Sequence, residues 1–150
     1  MNAPTTPDLR LALDLAPFRA RRERLLARMK AKGGGVAILH TAPERIRNRD
    51  AHYPYRHDSY FYYLTAFREP EAVVVLVAGE DTKQILFCRE KDEEREVWDG
   101  FRYGPAAARE IFGFDEAWTI GDLEKRLPDY LADQPLLWTG LGYDNAWDAK

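Results

Sequence analysis

Apolar positions along the chain fall into blocks whose period switches between helical and extended. Pro17 stands where a first helical residue tolerates proline, and Phe18, Leu25, Leu26 and Met29 share one stripe with arginines between them, which predicts a first helix. Lys30 and Lys32 suit the negative end of its dipole, and Gly33, Gly34 and Gly35 stop it. Val36 to His40, a short β-branched and aliphatic run, predicts a buried strand, and the following TAPERIRNRD reads as polar loop. EAVVVLVAG, Glu71 to Gly79, is the strongest strand pattern in the chain. The turn residues GEDT and a second strand, Gln84 to Cys88, complete an antiparallel hairpin.

A charged segment, REKDEEREVWDG, leads to two further helices, about Pro105 to Phe112 and about Ile120 to Ala132. The second carries Ile120, Leu123, Leu127, Tyr130 and Leu131 on one face, with Pro128 placed to kink it. Leu136 to Thr139 predicts a last strand. This order predicts an α/β fold with a mixed sheet, and no internal repeat is visible. Residues 1–16, polar and twice interrupted by proline, predict a flexible leader with one turn of helix at Leu9 to Leu15. The folded domain is expected over 17–150, a length at which about 68–70% of the unfolded chain's surface is buried.

Composition narrows the classes of partner. A net charge of -3 argues against nucleic acid, since phosphate binding needs a concentrated basic face, and the local cluster RARRER reads as the solvated face of the first helix. No apolar run approaches the roughly 20 residues that span a bilayer, so no membrane partner is expected. A single cysteine, Cys88, excludes an internal disulfide and favours a reducing compartment, with cytoplasm the default.

Ordinary catalytic signatures are missing. The triple glycine lies between helix and strand, the reverse of the order that sets phosphate on a helix N-terminus. His52 and His57 flank a proline without a third ligand to complete a zinc site. Asp92, Glu93, Glu94 and Glu96 alternate with Lys91 and Arg95 and read as a solvated face rather than a cation loop. Cys88, ending a hydrophobic strand, reads as a packed core thiol.

The densest aromatic stretch is HYPYRHDSYFYYLTAF, His52 to Phe67. Pro54 pushes Tyr53 toward extended backbone, and Asp58 or Ser59 can cap a turn of helix through Tyr60 to Leu64. Tyr60, Tyr63 and Leu64 would share one face, with Phe61 and Tyr62 pointing elsewhere, so the window reads as core and interface ahead of ligand stacking.

Arg47 to Leu76, RNRDAHYPYRHDSYFYYLTAFREPEAVVVL, resembles the signature of the N-terminal domain of bacterial aminopeptidase P, in the creatinase and prolidase superfamily. ILFCREKDEEREVWDGFRYGPAAAREIFG resembles that domain's strand, charged turn, W-x-G segment and helix, and the similarity runs from about Phe18 to Trp147. One departure is Ala66, where the family's T-G-F turn has glycine. The resemblance implies a mixed sheet with helices on both faces, of ribonuclease H-like type. It implies a longer metal-dependent Xaa-Pro aminopeptidase of the M24 peptidase family that removes a residue preceding proline, with a two-metal centre, commonly Mn2+, in a C-terminal pita-bread domain beyond these residues. No metal ligand or catalytic group is therefore carried over to this chain. Trp98 matches a tryptophan that reaches toward the substrate pocket of a neighbouring subunit, and Asp50 matches an acid near the domain interface. The expected role is substrate gating and oligomerisation, with peptides bearing proline in second position and the chain's own catalytic domain as partners, and with this segment inactive alone. The alternatives are a noncatalytic peptide- or protein-binding module of the same fold and, more remotely, stacking of single-stranded nucleic acid by the tyrosines with Arg45, Arg47, Arg49 and Arg56.

Overall fold

The computed structural model describes residues 13–142 and 145–149. The elements are α1 (Ala16–Ala31), β1 (Gly35–His40), β2 (Ile46–Asn48), β3 (Ala51–His52), α2 (Ser59–Thr65), β4 (Val73–Ala78), β5 (Thr82–Cys88), α3 (Glu93–Asp99), α4 (Gly104–Phe112), β6 (Glu116–Thr119), a 3₁₀ turn (Ile120–Asp122), α5 (Leu123–Leu131), β7 (Leu137–Thr139) and α6 (Asn145–Asp148). Five strands form one sheet in the order β6-β5-β4-β1-β7. The pairs β1–β4 and β4–β5 are antiparallel, while β1–β7 and β5–β6 are parallel, so the sheet is mixed as the element order predicts.

β4 lies at the centre with all six residues buried, which is why its sequence is a continuous apolar run rather than an alternation. Its alternate side chains serve two cores. Val74 and Leu76 pack with Ala37, Leu86 and Cys88 beneath α1, α2 and α4, through Phe18, Leu26, Met29, Phe61, Ala108 and Phe112. Val73, Val75 and Val77 pack with Val36, Ile38, Ile85 and Phe87 beneath Leu123, with Leu127, Tyr130, Leu131 and Trp147 at the margin. Helices thus cover both faces.

The glycine run after α1 is explained by close approach of backbone. A Cβ on Gly35 would lie 2.2 Å from the Leu136 carbonyl oxygen, and one on Gly34 would lie 2.6 Å from that of Ala78. These glycines let β1 pass between its neighbours. Asp58 caps α2, its Oδ1 accepting from the Phe61 N–H at 2.8 Å. The buried face of that helix is Phe61, Leu64 and Thr65, so Leu64 joins Phe61 rather than the exposed Tyr60 and Tyr63. Ala66 ends the helix at φ 59 and ψ 3, a left-handed conformation that glycine adopts without strain and that costs alanine about 1–2 kcal/mol.

Several elements depart from the sequence reading. TAPERIRNRD contains β2, paired with β3 in a small ribbon. The charged segment folds into α3, and β6 forms at the sheet edge where no strand is expected. The helix expected at Ile120 to Ala132 starts as a 3₁₀ turn and becomes α-helical at Leu123. Leu13 and Leu15 pack against the first core in a non-helical segment, α1 already includes Ala16 of the expected leader, and residues 1–12 lie outside the described residues. Among the described residues no helix is long and apolar enough to cross a membrane.

The RARRER cluster is not wholly a solvated face. Arg22 falls on the apolar stripe between Phe18 and Leu26 and is 0% exposed. Its Nε donates to Gln84 Oε1 at 2.6 Å, Nη1 to the Leu64 carbonyl at 2.8 Å, and Nη2 to the Phe112 and Gly113 carbonyls at 2.8 and 3.1 Å. The guanidinium therefore satisfies carbonyls at the C-terminal ends of both α2 and α4, where helix dipoles favour a cation. Burial, aided by neighbouring Arg19, lowers its pKa to about 10.

Candidate functional site

β1, β5, β6 and β7 run one way and β4 the other. The segments leaving β1 and β5 and the segment entering β4 therefore meet at one edge of the sheet. In open α/β sheets the carboxyl ends of the strands are where ligands bind. Here that edge gathers the ribbon, the Tyr53–Asp58 turn, Glu69 to Glu71, and everything from Arg89 to Tyr103.

The turn from ribbon to α2 is anchored by one phenol. Tyr55 donates its hydroxyl proton to the Ala42 carbonyl at 2.8 Å and lies 3.0 Å from Thr41 Oγ1, and its burial raises its pKa. The ribbon itself is exposed at all five strand residues, and Tyr53 N–H closes it onto the Arg45 carbonyl at 2.9 Å. Asp50 sits exposed in the turn between β2 and β3. His57 packs on the Tyr62 ring at 4.5 Å, and burial with Arg56 and Arg68 lowers its pKa; His52 lies apart on β3.

Beneath this surface lies a group of buried charges. Glu69 Oε1 accepts from the Tyr103 N–H at 2.7 Å, and Oε2 is 3.6 Å from Arg89 Nη2. Burial raises the Glu69 pKa against those favourable contacts. Arg102, also buried, pairs through Nη2 with Asp99 Oδ2 at 3.1 Å. Glu69 Oε2 and the Nε atoms of Arg89 and Arg102 have no hydrogen-bond partner among the described residues. Cys88, at the end of β5, is fully buried, and burial with nearby Glu69 pushes its pKa up to about 12, so the thiol is inert.

α3 projects from this base. Asp92 caps it by accepting from the Arg95 N–H at 3.0 Å, and Gly100 ends it at φ 85. None of its residues is buried, and Val97 and Trp98 are 78% and 88% exposed. A large indole so far from any core is an unusual use of the most costly apolar side chain to leave in water. Trp98 and Asp50 thus occupy different elements, each presented to solvent. Neither lines the groove of about 1020 Å³ that opens elsewhere between the β1–β4 face, α5 and α6, lined by Ile38, Val73, Leu127, Leu131 and Trp147 among others.

Sequence reasoning did not single out Glu69 or Arg102, and it read Glu96 as part of a solvated face, whereas its Oε1 accepts from Lys91 and the Arg102 N–H. The FREPEA and FRYG segments contain the first two, but their partners are a backbone N–H and residues from other elements, which spacing does not reveal. Among the described residues no group of three or more His, Cys, Asp or Glu side chains could hold a metal ion. A metal centre does not fit these residues.

The family model for the aminopeptidase P N-terminal domain matches residues 18–138. The Xaa-Pro aminopeptidase of Escherichia coli (strain K12) is 41% identical over 112 residues, which is 73% of this chain and 25% of that protein. The Pseudomonas aeruginosa aminopeptidase PepP structure superposes with a TM-score of 0.85 at 41% identity, covering 91% of this chain and 31% of its own. Zinc-substituted E. coli aminopeptidase P in complex with product superposes with a TM-score of 0.84 at 33% identity, with the same coverage of 91% and 31%. The chain therefore spans between a quarter and a third of the length of these relatives.

Proposed function

The chain belongs to the aminopeptidase P N-terminal domain family, and from that membership we propose that it is the substrate-gating and oligomerising domain of a metal-dependent Xaa-Pro aminopeptidase. The observation that carries the reading is Trp98, an 88% exposed indole held on a helix that buries nothing of its own. A flat apolar face with one donor suits a proline ring or an apolar side chain, so Trp98 is assigned as a wall of the substrate pocket. Its exposure in the single chain fits a role completed by a second subunit. Asp50, on the exposed ribbon turn, is assigned as a partner for a cation of the catalytic domain. The metal, which the zinc-substituted relative exemplifies and for which Mn2+ is the proposed occupant here, belongs to residues beyond this chain. Peptides with proline in second position are the proposed substrates and cytoplasm the proposed location.

The exposed Tyr53, Tyr60 and Tyr63 favour, more weakly, the second reading, a noncatalytic peptide-binding module. One experiment separates the two. The isolated chain is expected to release nothing from an Xaa-Pro peptide with added Mn2+, while the longer protein carrying it turns over, with Trp98→Ala raising KM. Turnover by the isolated chain, or an inactive longer protein that still binds peptide, would overturn the gating assignment.

A further inference from the structure

A seven-residue helix has no independent stability, since isolated helices shorter than about 12–15 residues are marginal even in favourable sequences. α3 has seven residues and no buried side chain, so its place on the domain must come from polar contacts. These converge on one carboxylate oxygen. Glu96 Oε1 accepts from Lys91 Nζ at 2.6 Å and from the Arg102 N–H at 2.6 Å. Lys91 Nζ also donates to the Arg102 carbonyl at 2.9 Å and lies 4.3 Å from the Phe101 ring centroid. Arg102 returns to the helix through Asp99 at 3.1 Å.

We propose that Glu96 is the positioning residue of the Trp98 helix, a latch that ties α3 to the 101–103 segment and thereby fixes the direction in which the indole points. The geometry follows from helical spacing. Residues two apart on an α-helix point about 200° from each other, so holding Glu96 against the body turns Trp98 outward. The arrangement also needs Gly104. At φ 73 its backbone passes against Lys91 so closely that a Cβ would lie 2.9 Å from the lysine Cβ, and this approach puts the Arg102 backbone within reach of Glu96. The Glu96 carboxyl titrates below the usual carboxylate range because the Arg102 N–H and Lys91 donate to it, as a loaded latch requires.

The consequence for substrate rests on the reading of Trp98 as a pocket wall; the latch itself does not. Two measurements keep them separate. In this chain, ¹⁵N relaxation of the α3 amides and the Trp98 indole N–H reads the latch. Glu96→Ala should drop the α3 order parameters from about 0.85 to below about 0.6, Glu96→Gln should restore most of the order because its amide oxygen still accepts from Arg102 N–H, and Glu93→Ala should change nothing. An α3 that stays rigid in Glu96→Ala overturns the proposal. In the longer enzyme, Glu96→Ala should raise KM for an Xaa-Pro peptide about tenfold with kcat unchanged, and should add little to Trp98→Ala. If α3 loosens while neither variant changes KM, the latch stands and the pocket reading of Trp98 falls. If Trp98→Ala raises KM and Glu96→Ala does not, the positioning role is refuted.

Discussion

Replacing Arg22 by methionine keeps a long unbranched side chain and removes every donor. Four acceptors then lose their partner at once: Gln84 Oε1 and the carbonyls of Leu64, Phe112 and Gly113. Each buried orphan costs about 1–3 kcal/mol, with the larger values belonging to bonds from a charged donor. Three considerations reduce the total. Gln84 can turn toward another donor, Phe112 and Gly113 share one guanidinium nitrogen, and the variant no longer carries the desolvation of a buried cation, which is what lowers the Arg22 pKa to about 10. A net loss of about 3–5 kcal/mol remains, the range expected when one partner of a buried charged network is removed. Against a total stability of about 5–15 kcal/mol this is large, and Tm should fall by roughly 10 °C. Urea unfolding followed by tryptophan fluorescence and by far-ultraviolet circular dichroism measures it, with Arg22→Lys falling between parent and Met because an ammonium retains the charge but not the fork. A loss below about 1 kcal/mol in Arg22→Met, with an unchanged m value, would refute the claim that this guanidinium joins α1 to the ends of α2 and α4.

Two further expectations follow from single positions. Gly104→Ala should destabilise the domain by about 2–4 kcal/mol, because φ 73 is strained for alanine and the new methyl would meet Lys91 Cβ; parent-like melting would contradict the geometry. Cys88 should resist a thiol reagent in the native state and react at the rate of unfolding. Its folded pKa of about 12 lies above the unfolded value near 8.5, so its contribution to stability is complete below about pH 8.5 and is lost as pH rises toward 12; Cys88→Ala should flatten that part of the alkaline stability profile, and an unchanged slope would count against the burial argument.

Much of the fold is legible in local pattern. The α1 stripe, the β4–β5 hairpin and the Asp58 cap of α2 each follow from residues within a few positions of one another, where periodicity and capping chemistry act directly. β6 is not legible because four half-buried residues, Glu116 to Thr119, become a strand only by pairing with β5. The ribbon and α3 escape notice for a different reason, since both are short and exposed and so carry no hydrophobic period. Of the candidate site, the sequence alone marks Trp98 and Asp50 by family resemblance, and the structure shows how each is presented without pairing them.

By itself, then, the sequence determined the mixed α/β architecture, the two-sided core built on a wholly apolar β4, and membership of a family with long shared motifs. Only the tertiary structure decided that Arg22 is buried, that Glu96 accepts from both Lys91 and the Arg102 N–H rather than standing as one more surface acid, and that the signature segments gather at one edge of the sheet. The reason is physical. Hydrophobic period reports what each residue prefers, whereas the buried Arg22 cation is stable only where carbonyls distant in the chain converge on it, and the Glu96 oxygen is shared only because the chain turns back after α3 to bring the Arg102 N–H beside Lys91.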